Sequence, residues 1–354
     1  MKNNIIQNLA CQNIADWWET YGDKLNHALP KTKLKGGEGF FHYAPLAAAL
    51  SILNIEENKE SSREHICLWA SHFLFLNDEQ ELSNGLDIVC SALKKELDQN
   101  PEMSDYKDII GNYYDIFSKL TCDKLHDTPN HFILCFCSHG NLKEQWQLYG
   151  KDCGVAIEFD LPECLIDGFY PPSAQYNENQ QIPAIPRAVH YKDDNKKRCV
   201  EKIIARRIKD LNANNLHVLM RQVLAAASFM KHPCFQAEKE TRLLFLPSFY
   251  CDEHSAIEAL KLVQYREHND TIKPYMKVNF RHRSGDVRNL IKSVTVGPGK
   301  NQQLVVNAIL KLLQTRFSKK IEMIPHWEKC NANDYEHTNI AHIQVRRSTL
   351  PFRG

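Results

Sequence analysis

The stretch Phe235-Gln236-Ala237-Glu238-Lys239-Glu240-Thr241-Arg242-Leu243-Leu244-Phe245 sets two carboxylates and a guanidinium at alternate positions. In an extended chain Glu238, Glu240 and Arg242 share one face, with Lys239 and Thr241 on the other. Two carboxylates side by side repel, so one of them can have a raised pKa, which suits acid/base or hydroxyl-binding work. Arg242 is a ready partner for one of the pair. The same pattern also describes a strand edge with an ion pair of little energetic weight. His42, followed by Tyr43 after a lysine- and glycine-rich connector (31–39), can present an imidazole to a ligand or sit as a satisfied core histidine. Trp146 and Tyr149 stand at i and i+3, so on a helix they face the same way, to stack on a flat ligand or to fill core. Val296-Gly297-Pro298-Gly299-Lys300 ends a strand before a helix, where free backbone N–H groups hold a phosphate. Its spacing matches neither a P-loop nor a dinucleotide fingerprint. No Gly-x-Ser-x-Gly occurs, and Cys137 with His139 has no third member to support thiol catalysis.

The elements that must position these groups are mixed. Ile5 to Tyr21 reads as a helix, and Phe40 to Tyr43 as a short aromatic strand with Pro45 opening a helix through Leu53. Strands are predicted at Ile66 to Phe75, Phe132 to Cys137, 154–160, Ala188 to Tyr191, Glu240 to Leu246, Met276 to Phe280, Ile291 to Val296, Ile321 to Ile324 and Ile343 to Val345. Helices are predicted from Asn77-Asp78 toward Leu97, over Tyr106 to Leu120, 141–149, Val200 to Met230 and Asn301 to Phe317. Residues 168–187, with four prolines, read as an irregular loop. Without strict βαβ alternation the class is α+β. The expected architecture is mainly antiparallel sheets forming a cleft, flanked by helices. Residues 1–38 form a helical N-terminal extension, and 39–354 a single domain with a helical insertion around 200–230.

The formal net charge of +1 gives no indication of nucleic-acid binding. The N-terminus lacks a signal-peptide core, and no apolar run is long enough to span a membrane. Twelve cysteines are scattered without a Cys-x-x-Cys pair. Cys135, Cys137 and His139 fall short of a four-ligand zinc site, so no metal is expected. Reduced thiols point to a cytoplasmic setting.

Several stretches taken in order carry a resemblance: Phe41-His42-Tyr43, Trp69-Ala70-Ser71 with Asn77-Asp78-x-x-Glu81, Phe132 to Ser138, Trp146 to Asp160, and Lys231-His232-Pro233 with Glu238-x-Glu240-x-Arg242. Val296-Gly297-Pro298 and the ending around Arg347 to Arg353 complete the set. Together they resemble a large bacterial family known only as a domain of unknown function. More distantly, the order His-Tyr strand, helix, Ser-bearing strand and late Glu-x-Glu is similar to ADP-ribosyltransferases, which hold NAD in a cleft between two small sheets. That likeness implies that His42 binds NAD and that Tyr43 or Tyr149 stacks on nicotinamide. It implies Glu240 as the catalytic glutamate and Glu238 as the acceptor-activating one. Ser71, Ser138, Trp146 and Arg242 would complete the substrate-binding set. Trp69-Ala70-Ser71 stands where those enzymes carry Ser-Thr-Ser.

The expected function is therefore an NAD-dependent ADP-ribosyltransferase or NAD glycohydrolase, with NAD as substrate and the acceptor left open among protein, nucleic acid and water. As a toxin, defence protein or effector it would act in the cytoplasm or after delivery into a host or competitor cell. A hydrolase of a nucleotide or sugar using two carboxylates among Glu158, Asp160, Glu238 and Glu240 is the alternative. A non-enzymatic interaction module is the third reading.

Overall fold

This computed structural model describes residues 38–54, 56–58, 63–76, 81–99, 107, 111, 131–149, 153–167, 182–183, 186–207, 219, 222–223, 225–245, 261–268, 270–317, 327–328, 337–340 and 343–351. The expected N-terminal helix, the strand at Ile321 to Ile324 and most of the Tyr106 to Leu120 helix lie outside them. In chain order the first elements are β1 (Phe40–Ala44), α1 (Leu46–Ile52), β2 (Glu56–Asn58), β3 (Arg63–His72), α2 (Glu81–Gln99), β4 (Phe132–Cys137) and α3 (Lys143–Tyr149). Then come β5 (Val155–Phe159), β6 (Cys164–Asp167), β7 (Ile182–Pro183), β8 (Arg187–Ala188), α4 (Asp193–Arg207) and β9 (Glu240–Phe245). The last are β10 (Val263–His268), β11 (Thr271–His282), β12 (Ile291–Val296), α5 (Gln302–Phe317), β13 (Trp327–Glu328), β14 (His337–Ile340) and β15 (Ile343–Arg347).

The class is α+β. The strands join one open sheet whose central path runs β15-β12-β5-β1-β4-β3-β11-β6, with β9 along β4 and β10 along β11. Every one of these pairings is antiparallel except β12 with β15. β4 sits at the centre because its sequence, Phe-Ile-Leu-Cys-Phe-Cys, offers apolar side chains to both faces.

Phe132, Leu134 and Phe136 join Ile66, Leu68, Ala70, Val278 and Phe280 on one face. α5, through Ile309, Leu313 and Phe317, and α1, through Ala49 and Ile52, cover that face. Each such side chain stabilises the fold by about 1.5–3 kcal/mol. The opposite face holds two separate apolar clusters. Ile133 packs under Leu86, Val89 and Leu93 of α2 and Val200, Ile203 and Ile204 of α4. Phe41, Tyr43, Cys137 and Ala156 pack with Trp146 of α3. Between these clusters the same face carries Cys135, Glu240 and Arg242, because Cys135 pairs with Arg242 and Cys137 with Glu240 across β4 and β9.

Two expectations on the elements are corrected. The strand expected at Met276 to Phe280 is the middle of a much longer one, paired over its first half with β10. Val-Gln-Tyr-Arg-Glu-His lacks the apolar contrast that marks a strand, so β10 was not visible in the sequence. The helix expected from Val200 begins at Asp193, where Asp193 and Asp194 place negative charge in the first turn, favourable to the helix dipole. Among the described residues no helix is long and apolar enough to cross a membrane.

His131, which precedes β4, is fully buried, with Nδ1 3.3 Å from Ser228 Oγ. Burial first, and then neighbouring His72, push its pKa down to about 3. An unfolded histidine titrates near 6.5, so this contribution to stability is complete above that pH and declines as pH falls toward 3. The loss expected from this group is about 2 kcal/mol by pH 5. Urea denaturation at pH 7, 6 and 5 should show that decline, and His131→Gln should flatten it. An acid slope identical in both proteins would count against the assignment.

Candidate functional site

The sheet forks at β4. On one edge β9 pairs with all of β4, from Phe132 to Cys137. The other edge is shared: β3 pairs only with Phe132 and Ile133, and β1 only with Cys137. The Cys135 carbonyl therefore faces neither strand, and His42 Nδ1 meets it at 3.0 Å. A carbonyl oxygen only accepts, so Nδ1 carries the proton and donates. Burial, followed by the Arg266 charge, lowers the His42 pKa, against the opposing effect of the Cys135 bond. The ring is thus neutral near pH 7, which makes Nε2 a hydrogen-bond acceptor.

On the β9 side of β4 lies a buried ion cluster. Lys231 Nζ donates to Glu238 Oε2 at 2.8 Å and to Glu240 Oε2 at 3.1 Å. Arg242 grips Glu240 with two bonds, Nε to Oε1 at 2.7 Å and Nη2 to Oε2 at 3.1 Å, and donates from Nη1 to the Ser228 carbonyl at 2.6 Å. Tyr191 Oη accepts from the Glu240 backbone N–H at 2.8 Å. Lys231, Glu238, Glu240 and Arg242 are all buried. Burial pulls the Lys231 pKa down, but the charges of Glu240 and then Glu238 outweigh it and hold the ammonium above its usual value. Burial, and then the charge of the nearby Glu240 carboxylate, raises the Cys135 pKa, so it is no nucleophile. Cys135 therefore adjoins both halves: its carbonyl binds His42, and across the ladder it pairs with Arg242.

Glu238 and Glu240 meet by a different route from the expected one. Glu238 ends a 3-10 turn (Pro233–Glu238), and Lys239, with φ at 45°, adopts the left-handed conformation before β9 begins. The two carboxylates converge because this turn bends Glu238 back onto Lys231, not because they alternate along one strand.

On the β3 side stands a group that the motifs did not reveal. Arg266 of β10 lies over the rings of Trp69 and Tyr275, at 5.2 Å and 5.6 Å from their centroids, and its Nη2 is 3.4 Å from Ser71 Oγ. Its charge acts on His42, and the Tyr149 hydroxyl in turn acts on it, so it borders the fork. Lys231 and Arg266 both escaped the sequence reading. Lys231 stood in a quoted motif without a role, and Arg266 belongs to the strand with no apolar contrast.

The expected site residues therefore divide. Ser71 and Tyr149 lie toward Arg266, and Glu238, Glu240 and Arg242 around Lys231, while His42 alternates with Phe41 and Tyr43 and packs on Phe136, so it fills the fork from the opposite face. Tyr43 and Trp146 are buried: Tyr43 Oη donates to the His139 carbonyl and accepts from Leu142 N–H, both at 2.8 Å, while Trp146 Nε1 donates to Asn141 Oδ1 at 2.9 Å. The indole also backs onto Gly297, where an added Cβ would sit 2.7 Å from Cε3. Gly297 is thus a packing position. Ser138 shares a 2.7 Å hydrogen bond with His139 Nδ1 beside the end of β4. Glu158 and Asp160, considered for the alternative hydrolase, are apart from Glu238 and Glu240, held by Ser293 Oγ at 2.6 Å and Lys292 Nζ at 3.1 Å. Among the described residues no group of three or more His, Cys, Asp or Glu side chains is arranged to hold a metal ion.

Residues 145–243 match the model of a family described as Protein of unknown function (DUF2971). The DUF2971 segment runs from α3 into β9, and so contains Tyr149, Lys231, Glu238, Glu240 and Arg242, while His42, Ser71 and Arg266 lie outside it. No curated protein and no solved structure matches the chain.

Breaking a buried ion pair from one side leaves an uncompensated charge, at about 3–5 kcal/mol. Lys231→Met should lose stability of that order at pH 7 by chemical denaturation. Protonating the carboxylates removes the uncompensated charge, so the deficit should be largest near neutrality and narrow as the pH falls. A Lys231→Met protein as stable as wild type at pH 7 would show the cluster to be energetically idle.

Proposed function

We propose that this face of the sheet binds NAD and breaks the bond between nicotinamide and ribose, as an ADP-ribosyltransferase or NAD glycohydrolase. The observation that carries the reading is the buried carboxylate pair gripped by Lys231 and Arg242, on the face of the sheet that also bears Ser71 and Arg266. Breaking the C–N bond sends its electron pair out with nicotinamide and leaves positive charge on the ribose. A fixed carboxylate in a site of low dielectric stabilises that charge.

Both oxygens of Glu240 are bound, by Arg242 and Lys231, so Glu240 is a positioning residue that anchors the lysine. Glu238, which the turn before β9 sets beside Lys231, is the group we assign to the sugar. When an acceptor hydroxyl or water attacks the anomeric carbon, its proton passes to the Glu238 carboxylate. Tyr149 stacks on the nicotinamide ring. Ser71 lies at the phosphate end. Glu238 thus keeps the acceptor-activating role that the resemblance implies, while Glu240 positions instead of catalysing. The acceptor is a protein side chain or water, and the setting is the cytoplasm of the producing cell or of one into which the protein is delivered.

Nicotinamide release from NAD, followed by chromatography, tests the reading. Wild type should release it, and Glu238→Gln should do so about 100- to 1,000-fold more slowly. Binding of the fluorescent analogue ε-NAD should be unchanged in the variant. NAD left intact by wild type, with no ε-NAD binding at millimolar concentration, would overturn it.

A further inference from the structure

Across the β10–β11 hairpin Arg266 pairs directly with Lys273, two positive side chains facing each other on one surface of the sheet. Like charges directly opposite one another destabilise a sheet, and both residues are half-buried. Burial followed by the Arg266 charge lowers the Lys273 pKa, and among the described residues no carboxylate contributes to either cation. The polar contacts present are all neutral. Arg266 Nη2 donates to Ser71 Oγ at 3.4 Å and Lys273 Nζ to the Phe75 carbonyl at 3.3 Å. The Arg266 Nε is buried without a hydrogen-bond partner. Next in the ladder, Tyr275 donates to Gln264 Oε1 at 2.9 Å, and its ring lies 4.6 Å from that of Trp69.

We infer that Arg266 and Lys273, with the Ser71 hydroxyl, form a phosphate-binding site that takes the pyrophosphate of a nucleotide. An anion placed between the two cations converts their repulsion into attraction and supplies acceptors where only neutral ones stand. A guanidinium matches a phosphate with paired donors, and an ammonium adds a point charge. The aromatic pair beneath Arg266 holds the guanidinium plane, which fixes where its donors point. Position also fits. Ser71 and Glu240 stand two strands and four ladder positions apart on this face, roughly 16 Å at the backbone by sheet spacings, and the side chains reach inward from both ends. That span suits a dinucleotide laid across the fork rather than a free base. Naming the phosphate as part of NAD rests on the reaction proposed above. The anion site itself does not.

Binding to the full-length chain is measured by calorimetry and thermal shift with inorganic pyrophosphate, ADP-ribose and adenosine, for wild type, Arg266→Gln and Lys273→Gln. Pyrophosphate and ADP-ribose should bind and raise Tm while adenosine does not. Each variant should weaken both ligands about tenfold or more, the loss of one charge-assisted hydrogen bond. Lys273→Gln should also match or exceed the Tm of unliganded wild type, since it removes the repulsion. A merely structural lysine would lower it. Pyrophosphate affinity that is absent in wild type, or unchanged in both variants, overturns the site. If the variants lose pyrophosphate but wild type leaves NAD intact, the site stands and the reaction falls. If NAD is cleaved with unaltered KM in both variants, the reaction stands and the site falls.

Discussion

Lys231 touches two glutamates that are both withdrawn from water, and Arg242 closes the other side of Glu240. Desolvating these four charges is expensive, and only close, well-directed contacts recover it. Much of the surrounding structure serves that requirement. The 3-10 turn bends Glu238 toward Lys231, and the left-handed Lys239 lets the chain leave that turn and enter β9 with Glu240 and Arg242 on the same face. β9 pairs along the whole of β4, which carries Cys135 and Cys137 beneath the carboxylates. Ser228 links Arg242 through its carbonyl to His131 through its hydroxyl.

The fork is the second constraint. Two strands sharing one edge of β4 leave a carbonyl unpaired in the middle of a sheet, and a buried unpaired carbonyl costs about 1–3 kcal/mol. His42 meets that demand, and in doing so its tautomer is fixed. The same bond that completes the sheet leaves a ring nitrogen able to accept from a ligand. The ion cluster lies one residue away, since Cys135, whose carbonyl His42 binds, pairs across the ladder with Arg242.

The sequence made the strands with clear apolar content legible, among them β4, β5, β9 and β12, along with α3 and α5. Residues 263–268 were not, since their alternation carries no apolar contrast and β11 alone recruits them. Glu238, Glu240 and Arg242 were legible as a group because motif spacing marks them, although their meeting depends on a turn that spacing does not show. Trp146 and Tyr149 read alike, at i and i+3 on one helix, but Trp146 points into the cluster under Tyr43 and Gly297 while Tyr149 is half-buried near Arg266. Helical phase alone does not separate a core ring from a rim ring. Arg266 was the least legible, because nothing in its neighbours in sequence anticipates Trp69, Ser71 or Lys273 beside it.

A crystal structure of the chain soaked with ADP-ribose tests the central claim most directly, namely that one face of the forked sheet holds a nucleotide between a carboxylate pole and a cationic one. The expected result is a pyrophosphate on Arg266 and Lys273 with the free ribose turned toward Glu238. Density at another surface, or a ligand-free fork at saturating ADP-ribose, would contradict it.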